Sequence, residues 1–174
     1  MGFLSQFYPD AETPSAYGLP YRSMYERGYR GIIFDIDNTL VPHGAPADEQ
    51  AILLFAKLHT LGFATLLLSN NKDPRVKPFA EAVGALYICK AGKPARKGYE
   101  EAMRIMHTDP GTTLLVGDQL FTDVWGARRA GIFSILTKPI HPREEIQIVL
   151  KRRLEAIVLF FYHRQEEKAH LRGR

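Results

Sequence analysis

A single cysteine, Cys89, among 174 residues leaves no partner for an internal disulfide and no companions for a thiolate zinc site. It reads as a small buried hydrophobe in a reducing, cytoplasmic compartment. The six histidines show no metal-ligand spacing, and His43, between Pro42 and Gly44, reads as a solvated loop residue or as one that approaches an open substrate. Long apolar runs are also missing. The longest, Ala156 to Tyr162, falls far short of the roughly 20 residues that cross a bilayer, and Lys151, Arg152 and Arg153 precede it. At the N-terminus no basic segment leads into an apolar one, and Asp10, Glu12 and Pro14 arrive too early for a secretory signal. No internal repeat, low-complexity tract, aromatic stacking motif, zinc knuckle or recognition-helix pattern occurs, so a nucleic-acid module is not expected.

What is present suits one globular domain spanning 1–174: 45% of residues are hydrophobic and 24% charged. The formal net charge of +4 favours anionic partners such as phosphoesters without choosing among them. Nothing in the sequence sets an oligomeric state.

Apolar runs and helical patterns alternate. Ile32, Ile33 and Phe34 form a short apolar run ending in Asp35, which predicts a buried strand delivering an acid at its C-terminal end. Pro46 to Gly62 predicts a helix with Asp48 and Glu49 in its first turn and Leu54, Leu58 and Leu61 on one face. Ala64 to Leu68 predicts a strand ending at Ser69. Asp73 and Pro74 then suit the cap and first turn of a helix running toward Gly84. Ala85 to Ile88 predicts a third strand and Pro94 to His107 a further helix. Thr113 to Val116 is a strand meeting Gly117 and Asp118. Val124 to Ala130 is a short helix, and Phe133 to Leu136 the last strand. This alternation calls for an α/β fold: a three-layer α/β/α sandwich with a Rossmann-like parallel sheet and ligand sites at the carboxyl ends of its strands. Asp35, Ser69 and Asp118 are therefore expected along one edge. Converging carboxylates repel unless a cation offsets them, and the oxygen donors Asp35, Asp118 and Asp123 suit magnesium.

Asp35-Ile36-Asp37-Asn38-Thr39, Ser69, Lys93, and Gly117-Asp118 with Asp123 resemble, in order, the four motifs of the haloacid dehalogenase superfamily. The resemblance covers a core of about 30–137, with a segment 1–29 before it and a helix of about 144–164 after it. Leu68-Ser69-Asn70-Asn71 and the stretch from Gly117 to Asp123 resemble the YqeG-type phosphatases of subfamily IIIA, which are similar to mitochondrial phosphatidylglycerophosphate phosphatases.

The resemblance implies that Asp35 attacks phosphorus to form an aspartyl phosphate and that Asp37 serves as acid and then base. It implies that Ser69, Asn70 and Lys93 bind the phosphoryl group, and that Mg2+ is held by Asp35, Asp37 through its carbonyl, Asp118 and Asp123. An acid at Asp37 is the phosphatase pattern rather than the dehalogenase one. Leu40 to Asp48 and Ile88 to Lys93 are too short to hold a cap domain, so a capless, open site is expected. Other readings stand beside these. Asp123 after Thr122 suits a helix N-cap, and Ser69 with Asn70 suits a turn. Charge alone does not choose Lys93 over Lys90, Arg96 or Lys97. Arg75, Lys77, Arg128 and Arg129 are candidates for a second phosphate or for solvent.

Glu144 to about Arg164 predicts a helix with Ile146, Val149, Leu150, Ile157 and Phe161 at helical spacing. Two roles compete for it and for Phe3, Leu4, Phe7 and Tyr8: packing on the core, or for the helix self-association, against peripheral contact at the inner face of a membrane beside basic residues. The second would make a phospholipid phosphate such as phosphatidylglycerophosphate the substrate. A nucleic-acid end phosphatase and a non-catalytic phosphate- or RNA-associated protein are the alternatives, the latter opposed by the intact pair Asp35 and Asp37.

Overall fold

The computed structural model describes residues 3–141 and 146–172, with side chains described over 4–141 and 153–167. Six strands form one parallel sheet: β1 (Ala11–Thr13), β2 (Gly31–Phe34), β3 (Ala64–Leu68), β4 (Leu86–Ile88), β5 (Thr113–Gly117) and β6 (Phe133–Thr137). Their order is β1-β6-β5-β2-β3-β4. The chain steps outward from β2 through β3 to β4, then returns to the other side of β2. The boundary between β2 and β5 is therefore the crevice where such sheets bind ligands.

Alternate residues of β2 face opposite layers, as the two-residue period of a strand requires. Ile32 and Phe34 join a core with helices α2 (Glu49–Leu61) and α3 (Asp73–Val83), reinforced by Tyr21 of α1 (Tyr21–Glu26). Ile33 joins the other core, with α4 (Arg96–Met106) and α5 (Trp125–Arg129). A third cluster sets Phe7, Leu120, Val124 and Leu136 against Val158 of α6 (Ile146–Arg172). The loops after β2 and β4 carry no inserted domain.

Several expectations are corrected. The sheet gains a sixth strand, β1, whose three residues show no apolar run. It is held at the edge by Asp10, whose Oδ2 accepts from Ser134 N and Oγ, each at 2.8 Å. Asp48 is the N-cap of α2 rather than a first-turn residue, its side chain accepting from Ala51 N at 2.8 Å. Lys72 occupies the cap position of α3 and Asp73 is already helical. The short helix begins earlier, as a wide π-type turn over Leu120–Val124 that runs into α5. Cys89 is half-buried, its Sγ 3.9 Å from Asp73 Oδ1, so it is not a core hydrophobe.

The terminal helix turns a different face inward from the one its apolar spacing suggests. Glu155, Val158 and Tyr162 are buried, whereas Ile157 is 54% and Phe161 45% exposed. Glu144 lies outside the described residues, as do the side chains of Phe3, Ile146, Val149 and Leu150. Phe7 and Tyr8 pack inward, Phe7 against Phe121 and Trp125 with ring centroids 5.1 and 5.2 Å away, and Tyr8 against Tyr162 at 5.2 Å.

Candidate active site

Three of the four motif positions follow strand ends. Asp35 extends β2, its N–H bonded to Val116 O at 3.0 Å. The chain then turns tightly, with Asn38 in the left-handed region at φ 62° and its N–H donating to Val41 O at 2.7 Å. Asparagine tolerates that conformation better than most residues do. Ser69 closes β3 and Asp118 follows β5, so the expected convergence on one edge is found.

The lysine is placed by its loop. Lys90 N donates to Asn71 O at 2.8 Å and Ala91 N to Ser69 O at 3.0 Å, laying the stretch after β4 over the end of β3. Asn70 completes the clamp: its Oδ1 accepts from Lys93 N at 2.7 Å and its Nδ2 donates to Lys93 O at 3.1 Å. Both polar ends of Asn70 are thus engaged by the Lys93 backbone. Lys93 is buried while Lys90, Arg96 and Lys97 are exposed. Its Nζ donates to Asp35 Oδ1 at 2.5 Å and to Asp123 Oδ1 at 2.7 Å.

Asp123 reaches this point because the wide turn carries it back beneath β5. Its Oδ2 accepts from Gln119 N at 3.1 Å, so it closes its own loop and caps no helix. Gly117 makes room for it: a Cβ there would sit 2.6 Å from Asp123 Oδ2. Asp118 accepts from Thr39 Oγ1 at 3.1 Å, tying the β5 end to the loop after Asp35.

Asp35, Asp118 and Asp123 each offer a carboxylate oxygen within 4.8 Å of the others, and all three are buried. Burial pushes the Asp35 carboxyl up to about 8; the Lys93 charge opposes this, and the charges of Asp123 and Asp118 add to it. Burial works against the Lys93 ammonium, but the carboxylates of Asp123 and Asp35 outweigh it and hold the lysine above its ordinary range. Close-set hard oxygen donors in which one carboxyl resists ionisation fit a divalent cation, which would favour the charged form.

Asp37 stands apart from that cluster. Its Oδ1 accepts from Gly44 N and Arg75 Nη2, both at 2.8 Å, and its Oδ2 from Asn71 Nδ2 at 2.6 Å. Sequence reasoning gave Asn71 and Gly44 no role and offered Arg75 only as a phosphate or solvent candidate. The one available signal was the position of Arg75 in the first turn of a helix at the active edge. Arg128 pairs with Asp10 at 2.7 Å, and Arg129 lies over the Trp125 ring, 5.2 Å from its centroid. His43 is exposed. Ser69 Oγ accepts from Asn71 N at 3.1 Å. Glu155 was not foreseen at all: this buried acid of α6 accepts from Leu120 N at 2.9 Å and from Phe121 N at 3.5 Å.

The chain is similar to known proteins to different extents. Residues 90–146 match the HAD-hydrolase-like family model. Over 154 residues the chain is 34% identical to the Bacillus subtilis protein named Probable phosphatase YqeG, covering 88% of this chain and 90% of that one. It is 27% identical over 154 residues to the Arabidopsis thaliana protein named Phosphatidylglycerophosphate phosphatase 1, chloroplastic/mitochondrial, covering 81% of this chain but only 44% of that longer one. A hypothetical protein from Xanthomonas campestris has the same fold, with a TM-score of 0.56, 16% identity and coverage of 78% and 76% of the two chains. With a relative this similar over nearly its whole length, the chain belongs to the haloacid dehalogenase superfamily and is a phosphatase of the YqeG type.

Proposed function

We propose that this phosphatase hydrolyses a phosphomonoester by transfer of the phosphoryl group to Asp35, with magnesium as its cofactor. The observation that carries the reading is the Lys93 ammonium held between Asp35 and Asp123, beside Asp118, where the central strands end. The Asp35 carboxylate attacks phosphorus and the bond to the leaving oxygen breaks, while Asp37 delivers a proton to that oxygen. Asp37 then takes a proton from the water that attacks the aspartyl phosphate, which releases phosphate and restores Asp35. Asn71, Arg75 and Gly44 N orient the Asp37 carboxyl for both transfers. Because Ser69 Oγ already accepts from Asn71 N, its own hydrogen remains to donate to a phosphoryl oxygen. Lys93 offsets the charge that accumulates beside Asp35. Asp35, Asp118, Asp123 and the Asp37 carbonyl would hold the magnesium, which supplies a Lewis acid that draws anionic carboxylate and anionic phosphate together.

A phospholipid phosphate such as phosphatidylglycerophosphate is the substrate we favour, with the enzyme working as one domain at the inner face of a membrane. Two things support this: the similarity to enzymes named for that lipid, and the exposed Leu154, Ile157, Phe160 and Phe161 on α6. No described helix is long and apolar enough to cross a membrane. The test is phosphate release from an aryl phosphate and from phosphatidylglycerophosphate vesicles, with and without magnesium, for wild type and Asp35→Asn. Release that requires both magnesium and Asp35 supports the reaction, and preference for the vesicles supports the lipid. Turnover that survives Asp35→Asn would rule out the nucleophile.

A further inference from the structure

A cavity of about 450 Å³ lies between α6 and the edge formed by β1 and β6. That is within the range of roughly 300 to 1,000 Å³ typical of small-molecule sites. Asp118 forms part of its wall, so the cavity and the carboxylate cluster share a residue. Thr13 and Pro14 enter it from the end of β1, and Thr137 to Pro139 from the end of β6, which places it on the same sheet edge as Asp35. The next residue, Ile140, donates its N–H to Asn38 O at 3.0 Å, so this stretch abuts the loop that follows Asp35.

The wall is mostly hydrocarbon, from Leu120, Leu136, Pro139, Ala156 and Leu159. Its acids are already engaged. Glu155 accepts from Leu120 N, and Glu12 lies 3.0 Å from His163 Nε2. What the cavity presents to a ligand is mostly apolar surface, with Asp118 at one side and Thr13, Thr137 and Lys138 where the strands end. Along the hydrocarbon wall a polar metabolite would lose more hydration than it regains in hydrogen bonds, whereas a hydrocarbon chain gains by leaving water.

We propose that the cavity beside Asp118 is a subsite for the hydrocarbon part of an amphipathic phosphomonoester, one chain lying between α6 and the β1–β6 edge while the phosphoryl group reaches the carboxylate cluster. This rests on the phosphatase reading above and adds to it a location and a chemical class. The exposed face of α6 then remains for the surface from which such a molecule is drawn.

The test measures binding of ethylphosphonate and octylphosphonate to the full chain in magnesium buffer by calorimetry, with both probes kept monomeric. Each buried methylene contributes up to about fourfold in affinity, so octylphosphonate is expected to bind about 100-fold more tightly after chain-ordering losses. Ala156→Trp, at an exposed position on the wall, and Leu159→Gln are each expected to cut that ratio to about tenfold or less as the apolar volume is filled or made polar. Equal affinities in wild type, or a ratio that both variants leave intact, would overturn the subsite. Phosphate release from ethyl and octyl phosphate judges the reaction separately. Release without chain-length dependence would reject the subsite and keep the phosphatase reading. Tight octylphosphonate binding without release would do the reverse.

Discussion

Arg75 Nη2 donates to Asp37 Oδ1 at 2.8 Å, across a sequence separation of 38 residues. The first turn of α3 therefore orients the acid that we propose moves protons. With Asn71 on the other oxygen, the carboxyl is held on both sides. A positioned acid or base contributes about 10²- to 10⁴-fold, so Asp37→Asn is expected to lose most of that. Arg75→Ala should lose about tenfold in kcat with a smaller change in KM, because Asp37 remains but is no longer fixed. Arg75→Lys, which lacks the planar fork, should fall between. Steady-state kinetics on an aryl phosphate, with melting temperatures as a fold control, measure this. An unchanged kcat in Arg75→Ala would remove the positioning role.

Metal binding should be strongly pH-dependent. With the Asp35 carboxyl near 8, the metal-free enzyme holds a proton at neutral pH that a divalent cation must displace. Between pH 6 and 8 the apparent magnesium affinity is expected to rise by up to about tenfold per pH unit and then level off. The same proton shapes stability. From the ordinary value of 3.8 up to about 8, the folded chain keeps a proton that the unfolded chain has released. Stability of the metal-free form therefore falls as pH rises through that window, by at most about 1.4 kcal/mol per pH unit. Asp35→Asn should flatten the slope and melt higher than metal-free wild type at pH 8. Melting curves in chelator from pH 5 to 9 test this, and parallel slopes for the two proteins would refute it.

Gly117→Ala is expected to disturb the site through one atom. The added Cβ would lie 2.7 Å from both Cβ and Cγ of Asp123, too close for carbon atoms, so Asp123 must withdraw from Lys93. Overpacking of this kind costs about 1 to 3 kcal/mol. The melting temperature should drop and magnesium affinity with it, whereas Gly18→Ala, where nothing lies within 4 Å, should change neither.

The strands that carry the site were legible because each is a short apolar run ending in a polar residue: Phe34 before Asp35, Leu68 before Ser69, Gly117 before Asp118. A parallel sheet buried on both faces leaves that pattern. β1 was not legible. Ala11-Glu12-Thr13 has neither alternation nor an apolar run, and its pairing depends on Asp10 reaching Ser134, 124 residues away. The inward face of α6 was misjudged for a related reason. Ile157, Phe160 and Phe161 stay exposed while Val158 and Tyr162 are buried, and the helix is rotated so that an acid, Glu155, meets the backbone N–H groups of Leu120 and Phe121. Periodicity counts hydrophobic side chains and does not register an N–H in need of an acceptor. Family resemblance singles out Lys93 among its basic neighbours; in the fold, the Asn70 clamp holds Lys93 beside Asp35 and Asp123.

Glu155 makes the terminal helix a support for the proposed metal loop. Its carboxylate binds the N–H of Leu120, two residues after Asp118 and three before Asp123. Glu155→Ala leaves buried N–H groups without that acceptor, at a cost of about 1 to 3 kcal/mol. If the contact only held the helix down, melting would fall while magnesium affinity in the folded protein stayed constant. If it shapes the loop, affinity should weaken about fivefold or more alongside stability, since about 1 kcal/mol of loop reorganisation is charged against binding. Glu155→Gln retains a carbonyl oxygen at the same reach and should recover most of both losses. Magnesium titration of the three proteins, well below their melting temperatures, separates the two cases. Equal affinities across them would confine Glu155 to packing, because a loop free to move without it would bind the ion less well.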